Sequence, residues 1–233
     1  MFVNKKLLDI LDNYLIPDLC DIVLKYLECP VHKREHQYYE HLMCTYQLPL
    51  FEFPKSICGN IYLVLGRRRS GKTSFIRDGV SHIKQCKSLA MTLGKHNIHN
   101  VDTQIYNYKM SYLRPFLLDH SDKVVILDDC FTTSLNMEFR NLFVNGRDYL
   151  TDYFISFCYP GVISPYFLRN NVDYLVVFKD DYVMTKKKIF ENYVSDFFMN
   201  YGHFDLVMNS LNSFDALIFD LQSEIIYFYK IKN

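Results

Sequence analysis

The chain of 233 residues carries 26 Lys+Arg against 26 Asp+Glu, with 8 His, so its formal net charge is zero and no global pull toward nucleic acid or an anionic membrane exists. Hydrophobic residues at 49% and charged residues at 22% exclude general disorder, and the length suits one large domain or one domain with a small appendage.

In chain order, residues 5–28 read as helix. After Pro17, the residues Leu19, Ile22, Val23, Tyr26 and Leu27 fall on one face of a 3.6-residue period, and Pro30 stops the pattern. Asp9 and Asp12 interrupt the apolar run that a signal peptide needs, and the longest apolar stretches are strand-sized. The chain is therefore expected to be intracellular and water-soluble, or to meet membranes only through a partner. Its seven cysteines lack disulfide-framework spacing and point to a reducing compartment. Residues 31–47 are polar and His-rich. Cys29, His32, His41 and Cys44, with His36 between, hold four donors that zinc accepts, but the spacing fits no standard signature. Cys20, Cys58, Cys86 and Cys130 read as small core residues. LPLFEFP at 48–54 resets the pattern, which divides the chain into a helical segment over 1–48 and a domain over 49–233.

From there strands and helices alternate. The reading gives a strand at Ile61–Leu65, a helix from Gly71 to about Gln85, a strand at Ser88–Leu93 and a helix over Asp102–Leu118. A strand at Lys123–Asp128, a helix at Met137–Phe143, and strands at Tyr153–Cys158 and Val172–Phe178 follow. Apolar runs without polar alternation imply strands buried on both faces, hence an α/β fold with a mostly parallel central sheet flanked by helices. ALIFDL (216–221) and IIYFYKI (225–231) read as a C-terminal β-hairpin. The 19 Tyr and 19 Phe are not taken as a binding signal, since both share A/T-rich codons with Ile, Asn and Lys.

One motif decides the class. Ile61–Leu65 runs into Gly66-Arg67-Arg68-Arg69-Ser70-Gly71-Lys72-Thr73, a G-x-x-x-x-G-K-T loop between a strand and a helix. The two glycines let successive amides face one phosphate, and the helix N-terminus adds partial positive charge. Lys72 is expected to bridge the β- and γ-phosphates and Thr73 to ligate Mg²⁺, with Ser74 completing the nucleotide-binding set. Val124–Leu127 then delivers Asp128 and Asp129 to a strand's C-terminal end, where open α/β sheets bind ligands. Asp128 is the expected second Mg²⁺ contact, and Asp129 the group that orients or deprotonates the attacking water. The strand at 88–93 is taken to favour the class with an extra strand between loop strand and acidic strand. No guanine-reading N-K-x-D occurs, so adenine is the base by default.

With these residues the chain resembles the viral genome-packaging ATPases of the FtsK–HerA superfamily, the poxvirus-type enzymes of large DNA viruses and virophages. Leu142-Phe143-Val144-Asn145-Gly146-Arg147-Asp148-Tyr149 resembles their LF-x-x-G-R-H-Y segment. Pro165 to Tyr174, with Arg169-Asn170-Asn171-Val172-Asp173-Tyr174, resembles their P-x-x-hydrophobic-R-x-N-I-D-Y segment. The resemblance covers about residues 57–231. It implies ATP and Mg²⁺ as cofactors, a homo-oligomeric ring around double-stranded DNA, a capsid or internal-membrane protein as a further partner, and action in the host cell cytoplasm and virion. It also makes Arg147 and Arg169 the candidates for reaching a γ-phosphate, in cis or from the next subunit, with Arg140 a third. Cys158 stands where the family carries a γ-phosphate-sensing Gln, so sensing passes to Ser156 or Asn170 or is weak. Asp129 is shorter than the Glu of the wider class. Arg67–Arg69 are read either as extra charge at the triphosphate or, preferably, as solvent-facing loop-tip residues. Lys186–Lys188 read as a solvated helix start or a DNA contact. The alternatives to a packaging motor are a nucleoside or nucleotide phosphotransferase and a nucleotide-binding module with little turnover.

Overall fold

The computed structural model describes residues 48–83, 86–93, 98, 100–119, 121–130, 141, 143–158 and 170–231. Over these the chain forms β1 (Ile61–Leu65), α1 (Lys72–His82), β2 (Lys87–Thr92), β3 (Thr103–Tyr106), α2 (Met110–Leu117) and β4 (Lys123–Asp128). A 3-10 turn at Gly146–Tyr149 leads into β5 (Thr151–Phe157), followed by β6 (Tyr174–Phe178), α3 (Val183–Ile189), α4 (Tyr201–Ser210), β7 (Ala216–Asp220) and β8 (Ile225–Tyr229). The expected N-terminal helices, the Cys29–Cys44 donor set and most of the helix at 137–143 lie outside the described residues. No helix among the described residues is long and apolar enough to cross a membrane.

The eight strands form one sheet in the order β3-β2-β4-β5-β1-β6-β7-β8. All pairings from β3 to β6 are parallel, and β7 and β8 add the expected antiparallel hairpin. β1, β4, β5 and β7 are buried along their whole length, as runs covered on both faces must be. The strand between β1 and β4 is β5, whereas β2 lies outside β4. An interposed strand is therefore present, but it is not the one at 88–93 that suggested it: sequence order does not give sheet order when crossovers skip a position.

The aromatic residues build the core. Tyr62 of β1 stacks on Phe154 of β5 at 4.6 Å and on Tyr174 of β6 at 4.9 Å. Both partners are its direct register neighbours, so the three rings form a ladder across parallel strands. Helix α1 lays Phe75 and Ile76 against this ladder. It approaches through Gly79, where a Cβ would sit 2.7 Å from the Phe154 ring and 2.8 Å from Phe53.

The expected helix over 102–118 is two elements. Asp102 accepts from Ser88 N (2.8 Å) and Ser88 Oγ (3.0 Å), which lines its chain up beside β2 and starts β3. Asn107, in the left-handed region at φ 68°, then breaks direction, and only Met110–Leu117 is helical. The spacing of Ile105, Tyr108, Tyr112 and Phe116 imitated a helix across that break. Lys186 is also not a solvated helix start. It is buried between α3 and α4, bound to Asn209 Oδ1 (2.7 Å) and Asp205 (2.5 Å), while Lys187 lies over the Tyr201 ring at 5.7 Å. Cys58 is exposed rather than a core residue.

Candidate active site

The loop leaves β1 after Leu65 and enters α1 at Lys72. Arg69 (φ 64°) and Gly71 (φ 112°) are left-handed on either side of Ser70, an alternation that turns successive amides to one side. The first helical hydrogen bond is Phe75 N to Gly71 O at 2.9 Å, so the amides of residues 72–74 precede it, where a helix N-terminus presents donors to an anion. Beneath the loop, Phe178 and Ile231 come so close to Gly71 that any Cβ there would meet them at 2.9 and 2.8 Å. The buried Ser70 hydroxyl has no hydrogen-bond partner. Lys72, 5% exposed, spans the loop: its Nζ donates to Gly66 O (2.7 Å), to Arg67 O (3.2 Å) and to Cys158 Sγ (3.3 Å).

Strand register brings the acidic pair to this loop. Asp128 is the partner of Ser156, one position before Phe157, and Phe157 pairs with Leu65, so the C-terminal ends of β4, β5 and β1 share one edge. Thr73 Oγ1 donates to Asp128 Oδ2 at 2.9 Å. Ser156 Oγ–H donates to the other Asp128 oxygen, and Ser156 Oγ also accepts from Asp129 N at 3.0 Å. Ser156 thus clamps both acids. Asp129 is left-handed at φ 51°, which swings its side chain from the strand line onto the cavity wall. Its Oδ2 lies 3.5 Å from Lys72 Nζ and accepts from Cys158 S–H at 3.1 Å. Burial, and then the Asp129 carboxylate, push the Cys158 thiol up, so it stays a neutral donor near neutral pH.

These groups open on a cavity of about 580 Å³. Lys72, Thr73, Ser74 and Asp129 line it, Leu93 stands on the β2 flank, and Phe214 on the β6–β7 flank. Arg68 and Arg69 are exposed and line the cavity, whereas Arg67 pairs with Asp181 at 3.4 Å. A hydroxyl and a carboxylate oxygen within hydrogen-bond distance of each other are the hard oxygen donors that Mg²⁺ takes together with phosphate oxygens, so Thr73 and Asp128 fit that ion.

Arg147 does not join the site within the chain, which corrects the expectation that it reaches a γ-phosphate in cis. It forms an ion pair with Asp173, whose carboxylate also accepts from Ile61 N at 2.8 Å. That places it at the start of β1, about 13 Å of strand away from the loop. The physical reason is directional: the Gly146–Tyr149 turn precedes a parallel strand, and all such entries sit on the N-terminal edge. Arg140 and Arg169 lie outside the described residues, and Asn170 is exposed. Phe214 was missed by sequence reasoning. Its one signal is a large aromatic inside the polar turn Asn212-Ser213-Phe214-Asp215.

A parallel sheet, a G-x-x-x-x-G-K-T loop opening α1, and an acidic pair one interposed strand away define the phosphate-binding-loop NTPase fold. Solved structures with this fold include B204, the DNA-packaging ATPase from Sulfolobus turreted icosahedral virus, at TM-score 0.60 and 14% identity over 76% of this chain and 100% of that one. The genome-packaging NTPase B204 of Sulfolobus turreted icosahedral virus 2, in complex with ATPγS, matches at TM-score 0.58 and 13% identity over 74% of this chain and 98% of that one. The fold is thus shared with the same kind of viral packaging enzyme that the motifs resemble. Among curated proteins, the uncharacterized protein L437 of Acanthamoeba polyphaga mimivirus is 24% identical across 65% of this chain and 63% of its own length. No protein-family model matches the chain.

Proposed function

We propose that this chain is a Mg²⁺-dependent ATPase that drives double-stranded viral DNA into capsids, working as a homo-oligomeric ring. The observation that carries the reading is the 2.9 Å bond from Thr73 to Asp128, with Asp129 on the wall of the same cavity. Support for the substrate and the task comes from the shared fold of the B204 enzymes, described as packaging ATPases and bound to ATPγS and AMPPCP. The motif resemblance to the FtsK–HerA packaging ATPases points the same way.

In this mechanism the amides at the start of α1 and the Lys72 ammonium hold the β- and γ-phosphates. Thr73 and Asp128 would hold Mg²⁺, which when bound offsets the charge that develops on the phosphoryl oxygens. Asp129, aimed by Lys72 and the Cys158 thiol, accepts the proton of a water as its oxygen bonds to the γ-phosphorus and the bond to the ADP oxygen breaks. Arg147, on the far edge, could serve only a neighbouring subunit's site in the ring, and Arg169 is the other proposed donor in trans. A ring also lets a neutral chain grip DNA, because only the pore lining need be basic and subunits add their phosphate contacts. A capsid or internal-membrane protein is the proposed docking partner, and the host-cell cytoplasm at the assembly site the place of action.

The test is phosphate release with and without duplex DNA. DNA-stimulated release supports the motor. Transfer of labelled γ-phosphate to a nucleoside would move the assignment to a phosphotransferase, and tight ATP binding without turnover to a nucleotide-binding module. Lys72→Ala is expected to abolish hydrolysis. Asp129→Asn is expected to keep ATP binding and lower turnover by about 10²–10⁴-fold; normal hydrolysis by that variant would remove Asp129 from its role.

A further inference from the structure

We propose that Phe214 is the surface on which the nucleobase stacks, and that the site therefore takes purine nucleoside triphosphates by their ring faces. The inference rests on the reading of the cavity as a nucleotide site and extends it to the base.

Three observations converge on this residue. Phe214 lines the same cavity as Lys72, Thr73 and Asp129, yet the residue is 52% exposed, so it is not part of the core. Its backbone is left-handed at φ 72°, a conformation uncommon for a bulky residue and retained mainly where surroundings and use impose it. The turn that imposes it is fixed on both sides: Asp215 Oδ2 accepts from Asn212 N at 2.9 Å, Asp215 N donates to Asn212 O at 3.1 Å, and Asp215 O accepts from Lys179 N at 3.1 Å. Lys179 directly follows Phe178, the ring that underlies Gly71.

Sheet order decides which end of a nucleotide reaches Phe214. The acidic pair and Leu93 mark the cavity's flank toward β4 and β2, where the γ-phosphate belongs. Phe214 lies between α4 and β7, by the C-terminal end of β6 on the opposite flank, so a triphosphate laid along the loop with its γ-phosphate at Asp129 carries its base toward Phe214. An exposed ring there offers a π-face, which every base shares and which larger purines use best. ATP and GTP are accordingly expected to bind within a few-fold of each other, with pyrimidine triphosphates weaker.

The test measures binding of ATP, GTP, CTP and inorganic tripolyphosphate to the full chain and its variants, alongside thermal melting. Phe214→Leu and Phe214→Gly are expected to weaken ATP roughly 10-fold, the scale of a lost base–aromatic stack, while leaving tripolyphosphate unchanged. Phe214→Trp is expected to retain ATP binding. Phe214→Gly is also expected to melt at or above the wild-type temperature, because glycine relieves the left-handed strain; a residue serving structure alone would show the reverse. ATP binding unchanged in the Leu and Gly variants would overturn the assignment while leaving the nucleotide site intact. Failure of the wild-type chain to bind either ATP or tripolyphosphate would overturn the nucleotide reading, and this inference with it.

Discussion

Ser156 shows how much of the site rests on one hydroxyl. It is fully buried, donates to one oxygen of Asp128 and accepts the backbone amide of Asp129. Thr73 occupies the other oxygen of Asp128, so the carboxylate is fixed from both sides before any ligand arrives. Ser156→Ala is expected to leave ATP binding by the loop in place and to raise the Mg²⁺ concentration needed for half-maximal turnover by about 10–100-fold, the usual cost of removing a group that orients a metal ligand. A Mg²⁺ titration of the ATPase checks this; an unchanged midpoint would show that Thr73 alone orients Asp128. The motif residues Gly66–Thr73 and the acidic pair were legible because their chemistry depends on local spacing. Ser156 and Phe214 were not, since each acquires its role only through a strand register or a turn that brings distant chain together.

At the scale of elements, α1 is held against the sheet by the absence of a side chain. Gly79 lies mid-helix, where Ala would normally raise helix propensity by about 1 kcal/mol. Here its Cβ would meet the Phe154 and Phe53 rings inside ordinary van der Waals separation. Gly79→Ala is therefore expected to destabilise the fold by about 1–3 kcal/mol, the overpacking cost, measured by denaturant unfolding. Because α1 begins at Lys72, the same displacement should weaken phosphate binding in parallel. The apolar runs that became β1, β4, β5 and β7 were legible for the reason that they are buried on both faces. β3 was hidden because its Ile105 keeps a helical spacing with Tyr108 and with Tyr112 and Phe116 of α2, across the turn at Asn107. The position of Arg147 followed from a rule available in the sequence, that segments entering parallel strands lie opposite the ligand edge. The family resemblance spoke for a catalytic Arg and outweighed it.

Across the whole sheet the two edges divide the work. The C-terminal edge carries the phosphate loop and acidic pair. The N-terminal edge carries Asp152 and Asp173, which anchor the chain as it enters β1. Asp152 Oδ1 accepts from Cys58 N at 3.1 Å and Asn60 N at 2.8 Å, while its Oδ2 is buried without a hydrogen-bond partner. Burial pushes the Asp152 carboxyl up to about 6, with Asp173 adding to the rise and the backbone donors opposing it. The sign follows from proton uptake. Between the ordinary value of 3.8 and about 6, the native chain holds a proton that the unfolded chain has released. The contribution is thus full below the lower value and is lost as pH climbs through the higher one, by about 3 kcal/mol over the window. Asp152→Asn keeps an oxygen for the two amides and cannot ionise. Urea unfolding of wild type and variant from pH 4 to pH 7.5 should show the variant gaining about 3 kcal/mol relative to wild type as pH rises. Parallel stability curves would mean that Asp152 ionises at its ordinary value, with its second oxygen reached by water.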